Sequence, residues 1–141
     1  MFETKQLITM EEVLEGYKLM RELRPELKEE QFLNLLEEMQ PQGYKMFALY
    51  DKNDLVALAG VGIITNFYYG RHVWVYDLVT TSKKRSKGYG EYLLSSIENW
   101  GVEHGCITIA LSSALHRKDA HRFYEEKMSY TIPSYVFKKT L

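Results

Sequence analysis

The sequence predicts an α/β (α+β) domain: a mixed central sheet with helices on both faces, in the order β-α-α-β-β-β-α-β-α-β. Three observations predict it. Two amphipathic helical patterns precede three strand-like segments between Tyr44 and Thr80. A glycine-bearing cationic turn, Arg85 to Gly90, then leads from the last of these strands into a long amphipathic helix. A short apolar strand follows that helix. One parallel, right-handed crossover therefore joins an otherwise hairpin-connected sheet.

The elements follow in order. Phe2 to Ile8 is short and mixed, as suits an edge strand. Thr9-Met10-Glu11-Glu12 is a capping box that opens a helix to about Leu23, with Val13, Tyr17 and Met20 on one face. Pro25 interrupts it, and a second helix from Lys28 to Met39 turns Phe32, Leu35 and Leu36 inward before Pro41 and Gly43 end it. Tyr44 to Tyr50 and Leu55 to Phe67 are strands joined by the turn Asp51-Lys52-Asn53-Asp54, and His72 to Thr80 is a third. Tyr89, Leu93, Ile97 and Trp100 recur at helical spacing, and Gly105 closes that helix. Ile107 to Ser112 reads as a buried strand, Asp119 to Lys127 as a short helix, and Tyr130 to Thr140 as one or two final strands broken at Pro133.

Composition narrows the class. At 141 residues and 45% hydrophobic, residues 1–141 suit one domain with one core. No apolar run is long enough to span a bilayer, and Met1 to Leu7 carries Glu3 and Lys5 rather than a signal-peptide pattern. A cytoplasmic protein is expected. The sole cysteine, Cys106, sits in an apolar run and reads as a buried structural thiol. The four histidines have no ligand spacing and no carboxylate cluster beside them, so no metal is expected. Residues 1–60 hold twelve acids and seven bases, and residues 61–141 seven acids and eleven bases. Solvated helix faces would account for this, as would an anionic ligand on one half and a cationic one on the other. The basic cluster is too short, and too poor in interleaved aromatics, for nucleic acid.

That cluster is chemically specific. Lys83, Lys84, Arg85 and Lys87 place four cations in five residues beside Gly88 and Gly90. Glycines let the backbone approach a ligand, and the first amides of a helix have no internal partner and face the positive end of its dipole. The turn reads as a phosphate site. It lacks the third glycine of the dinucleotide fingerprint, and the chain contains no nucleotide P-loop.

What remains, R-x-x-G-x-G between strand and helix, resembles the acyl-coenzyme A pyrophosphate loop of the GNAT superfamily of N-acetyltransferases. Asp119-Ala120-His121-Arg122-Phe123-Tyr124-Glu125, about thirty residues on, resembles the family's later motif. The run from Ser112 to Glu125 also has a weaker likeness to the aminoalkylphosphonate acetyltransferase subgroup. Ser129 and Arg117 stand where many members have Gly and Asn, and Tyr76 where many have Glu.

The resemblance implies a GNAT-like fold, acetyl-CoA as acyl donor without a metal, and transfer to a small-molecule amine. The pyrophosphate would rest on Arg85, Ser86, Lys87, Gly88, Tyr89 and Gly90. The pantetheine arm would pair with the main chain of Leu78, Val79 and Thr80. Ser112 would either touch the cofactor or turn the chain. Tyr124 would donate to the leaving sulfur, a role suited to a phenol that keeps its proton at neutral pH. Asp77, the only acid in an otherwise apolar strand, would accept the amine's proton or bind the amine, or cap a neighbouring loop. A non-catalytic acyl-CoA sensor, an acceptor amine on a protein and a homodimer stay open.

Overall fold

The computed structural model describes residues 1–84 and 87–141, so Arg85 and Ser86 of the predicted phosphate loop lie outside the described residues. Two compact units, Met1–Ala110 and Leu111–Leu141, divide the chain.

In the first unit, β1 (Phe2–Leu7) is followed by α1 (Met10–Leu23) and α2 (Glu29–Met39). β2 (Lys45–Asp51), β3 (Asp54–Asn66) and β4 (Gly70–Thr80) then form a meander, and α3 (Tyr89–Glu103) crosses to β5 (Thr108–Leu111), whose last residue opens the second unit. The sheet order is β1-β2-β3-β4-β5, antiparallel from β1 to β4. The Ile107 amide donates to the Arg71 carbonyl at 2.9 Å, so β5 starts beside the start of β4, as a parallel crossover requires.

Helices cover both sheet faces because the strands alternate. On β2, Met46 and Ala48 join the core beneath α1, whereas Phe47 packs edge-on against Trp100 of α3 at 5.2 Å between ring centres. α1 lies close to the sheet at Gly16, where a Cβ would come within 2.9 Å of Leu7 Cδ1 and 3.0 Å of Met46 Sδ. α3 does the same at Gly101, where a Cβ would sit 2.6 Å from Val73 Cγ2.

A bulge interrupts the β3–β4 ladder. Val61 pairs with Val75 but Gly60 pairs with Asp77, which leaves Tyr76 as the extra residue. Its effect is to exchange faces. Val73 and Val61 lie on the α3 side, yet Val79 belongs to the core under α1, and Asp77 shares its side with Gly60 and Val79. Simple alternation groups Asp77 with both Val75 and Val79; the bulge separates it from Val75.

Several local expectations hold. Thr9 Oγ1 accepts from Glu12 N at 3.1 Å, and Glu12 Oε1 accepts from the amides of Thr9 and Ile8, each at 3.0 Å. Lys52 and Asn53 both adopt positive φ in the two-residue turn between β2 and β3, as a type I′ hairpin demands.

Other expectations are corrected. Leu35 is exposed while Phe32 and Leu36 are buried, because the stripe of α2 that meets the core is narrow. Cys106 is half-buried and Ile107 exposed, since the chain leaves α3 at the surface before β5 begins. In the second unit, the short helix is α4 (Lys118–Arg122), continued by a π-helical turn, Phe123–Lys127. The final strands expected at Tyr130–Thr140 do not form, so the order ends at the helix. Strand propensity needs a partner strand, and Pro133 removes a ladder donor from the middle of the segment. Among the described residues, no helix is long and apolar enough to cross a membrane.

The capping box yields a prediction. Thr9→Ala should destabilise the fold by about 1 kcal/mol, measured by urea unfolding. The Lys5 ammonium, 2.6 Å from Glu12, together with the Ile8 and Thr9 amides, lowers the Glu12 carboxyl from 4.5 to about 2. Its contribution is therefore complete above pH 4.5 and disappears as the pH falls towards 2. The stability difference between wild type and Glu12→Gln should vanish over that window.

Candidate active site

The C-terminal half of β4 carries Asp77, Leu78, Val79 and Thr80. β3 pairs with one edge of it, joining Ala59, Leu58 and Ala57 to Leu78, Val79 and Thr80. β5 has four residues against eleven in β4 and starts beside Arg71, so the last residues of β4 run beyond its reach. Val79 buries its side chain in the core and offers a ligand only main-chain groups.

After β4 the chain turns through Ser82–Lys84. The Ser82 amide donates to Glu22 Oε1 of α1 at 2.8 Å, and Lys84 Nζ lies 3.2 Å from Asp54 Oδ2 at the start of β3. Lys87 is exposed. Gly88 caps α3 at φ +78°, a left-handed conformation suited to glycine, and among the described residues no heavy atom beyond its chain neighbours lies within 4 Å of where its Cβ would be. Among the described residues no side chain caps α3, so the amides of Tyr89 and Gly90 point out of the helix start without an intrahelical partner. Tyr89 contributes only that amide, because its ring is buried against Phe2 and its hydroxyl donates to Asp51 Oδ2 at 2.6 Å. The same bond raises the Tyr89 phenol and lowers the Asp51 carboxyl relative to their ordinary values.

Asp77 is paired with a cation from α1. Arg24, the C-cap of α1, places Nε 2.7 Å and a terminal guanidinium nitrogen 2.5 Å from Asp77 Oδ1. Burial pushes the Asp77 carboxyl above its ordinary value, and the Arg24 charge beside it opposes that rise. Tyr44, between α2 and β2, lies across Gly60, where a Cβ would meet its hydroxyl at 2.2 Å, and packs edge-on against Tyr76 at 5.3 Å. Burial raises the Tyr44 phenol well above its usual range, with the Asp77 carboxylate adding to the rise. Sequence reasoning missed Arg24 and Tyr44. The signal was indirect: a lone acid in an apolar strand needs a cation, but its partner is distant in sequence.

The second unit carries Ser112 and Tyr124. Ser112 is exposed just past β5, and the neighbouring Ser113 Oγ is buried with no hydrogen-bond partner. Tyr124 lies in the π-helical turn, half-buried and packed on Phe123 and Tyr130 at 5.3 and 5.8 Å. Ser129 takes φ +63°, and the Tyr130 amide donates to the Tyr124 carbonyl at 2.8 Å, so serine completes a left-handed turn that usually takes glycine.

The glycine turn and the free amides at the start of α3 fit a phosphorylated ligand recognised largely through main chain. The profile of the acetyltransferase (GNAT) family matches residues 10–130. An uncharacterized N-acetyltransferase of Bacillus subtilis (strain 168), YhdJ, is 46% identical over 140 residues, 99% of each chain. Solved structures share the architecture at low identity. One is the aminoglycoside N-acetyltransferase AAC(6')-Iy in complex with CoA: TM-score 0.83, 16% identity, 99% of this chain and 95% of that one. Another is a GNAT family acetyltransferase of Staphylococcus aureus: TM-score 0.78, 22% identity, 99% of this chain and 98% of that one. On the family profile and the Bacillus relative, the chain belongs to the acetyltransferase (GNAT) family.

Proposed function

We propose that this enzyme moves an acetyl group from acetyl-CoA to the amine of a small molecule, by direct attack within a ternary complex. The observation that carries the reading is the start of α3: uncapped amides behind a left-handed Gly88, open in front, at the end of a cationic turn. Acetyl-CoA supplies the activated acyl group and a thiol leaving group.

The chain's residues bind, orient and move protons. Arg85 and Lys87 attract the pyrophosphate, and the amides from Ser86 to Gly90 hold its oxygens. The main chain of Leu78, Val79 and Thr80 orients the pantetheine arm, and Ser112 touches the cofactor or turns the chain. Asp77 takes a proton from the acceptor ammonium directly or through water, so that the amine attacks neutral. Tyr124 gives a hydrogen bond or a proton to the departing sulfur. Held in one complex, the reacting atoms need no covalent enzyme intermediate.

The primary test mixes the protein with acetyl-CoA and a panel of aminoglycosides, polyamines, amino acids and a lysine peptide, and follows free thiol. Release with a small amine is expected. Release with the peptide alone would move the acceptor to a protein, and no release with any of them would defeat the reading.

Two variants probe the loop by calorimetry with coenzyme A. Arg85→Ala should weaken binding by about 1.5–3 kcal/mol, tenfold or more, through loss of one charge-assisted contact. Gly88→Val should weaken it as well, and its branched side chain at positive φ should also lower stability by about 1–3 kcal/mol. Unchanged affinity in both would place the cofactor elsewhere.

Tyr124→Phe keeps the ring and removes the donor. Turnover should fall by about 10²–10⁴ under single-turnover conditions with little change in Michaelis constants. Wild-type rates would return Tyr124 to a packing role.

A further inference from the structure

We propose that Arg24, a residue outside every motif of the site, is a positioning residue for acetyl transfer: it fixes Oδ1 of Asp77 and leaves Oδ2 of a charged carboxylate for the acceptor amine. The inference rests on the role given to Asp77 above and adds the residue that makes that role workable.

The geometry is specific. Two guanidinium nitrogens converge on a single oxygen, Oδ1, at 2.7 and 2.5 Å. The Asp77 side chain keeps 11% of its surface open. An arginine recruited only to neutralise a buried acid would gain more by gripping both oxygens, the pairing its planar fork favours. The backbone that aims Arg24 is itself held. Tyr17 donates from its hydroxyl to the Leu27 carbonyl at 2.6 Å, Arg21 to the Pro25 carbonyl at 3.1 Å, and Glu22 accepts the Ser82 amide. The end of α1 is thus tied to both Asp77 and the entrance of the phosphate loop.

The remaining ionisable groups around Asp77 are Tyr44, from the segment ahead of β2, and Tyr76 beside it on β4. Burial holds the Tyr44 phenol well above its usual range, and Arg24 is the cation that favours the carboxylate. In the step proposed, an N–H bond of the acceptor ammonium breaks, an O–H bond forms at Oδ2, and the nitrogen keeps the electron pair with which it attacks. The proton then leaves to water through the exposed edge of Asp77. Without Arg24 the buried carboxyl would already hold a proton at higher pH and could not accept another.

The test uses the full chain as wild type, Arg24→Gln, Arg24→Lys and Asp77→Asn. Carbon-13 carboxyl NMR follows the aspartates, of which the sequence has four, with Asp77 assigned by its absence in Asp77→Asn. Acetyl transfer is followed over pH with one amine that wild type accepts, so that the acceptor's own titration is common to all variants. In Arg24→Gln the Asp77 titration should rise by about one to three pH units, and the acid limb of kcat/KM should rise with it. Arg24→Lys, which keeps the charge, should return most of both shifts and guards against a misfolded glutamine variant. An unmoved Asp77 titration overturns the proposal. So does a titration that moves while the acid limb stays, because Arg24 would then be a structural partner only. Absence of thiol release by wild type with any amine overturns the acetyl-transfer reading and this proposal with it; an active wild type with an unshifted Arg24→Gln limb overturns this proposal alone.

Discussion

The site in the first unit depends on one irregularity in the longest ladder of the sheet. β4 is covered by α3 on one face and α1 on the other, so its side chains are committed to core wherever the alternation is regular. The extra residue at Tyr76 breaks the alternation. Before it, Val73 and Val75 face α3; after it, Asp77 and Val79 face α1. In an unbroken strand Asp77 would fall in line with Val73 and Val75, beneath an apolar helix face, where a charge has no partner and costs several kcal/mol. The bulge instead delivers it to the end of α1, where Arg24 waits.

The same irregularity explains the glycine opposite. Gly60 pairs with Asp77 and has no room for a side chain, because the Tyr44 ring occupies the space a Cβ would take. Tyr44 in turn packs on Tyr76. Tyrosine, glycine and bulge thus form one unit: the bulge turns the acid, and the glycine admits the ring. Burial strengthens the Arg24–Asp77 attraction but also raises the cost of the charge.

What the sequence made legible follows from how local each signal is. The capping box at Thr9, the hairpin turn at Asp51–Asp54 and the glycine at the start of α3 are each decided by neighbouring residues, and each forms where expected. The bulge has no such signature. A run of valine, tryptophan, tyrosine and leucine reads the same in either register, and only the ladder with β3 selects one. Arg24 was hidden because its partner lies 53 residues away. Tyr130 to Thr140 misled for the opposite reason: its residues favour strands, but pairing is a property of two segments, and propensity in one cannot supply the other. The π-helical turn around Tyr124 was equally silent, since nothing in Phe-Tyr-Glu-Glu-Lys departs from an ordinary helical pattern.

The uneven distribution of charge takes on a meaning that counting alone did not give it. Three acids of the negative first 60 residues reach the segment that runs from the end of β4 into α3. Glu22 accepts the Ser82 amide, Asp54 meets Lys84, and Asp51 accepts from Tyr89. Part of the asymmetry is therefore internal, an acidic body holding the two ends of a cationic turn. The Lys84–Asp54 contact is solvent-exposed and weak, so an incoming polyanion would compete for Lys84 at little cost. The Ser82 and Tyr89 anchors use an amide and a phenol, which a phosphate would not readily displace from carboxylates already in place. The turn is thus held at Ser82 and at Tyr89 by carboxylates of the first 60 residues.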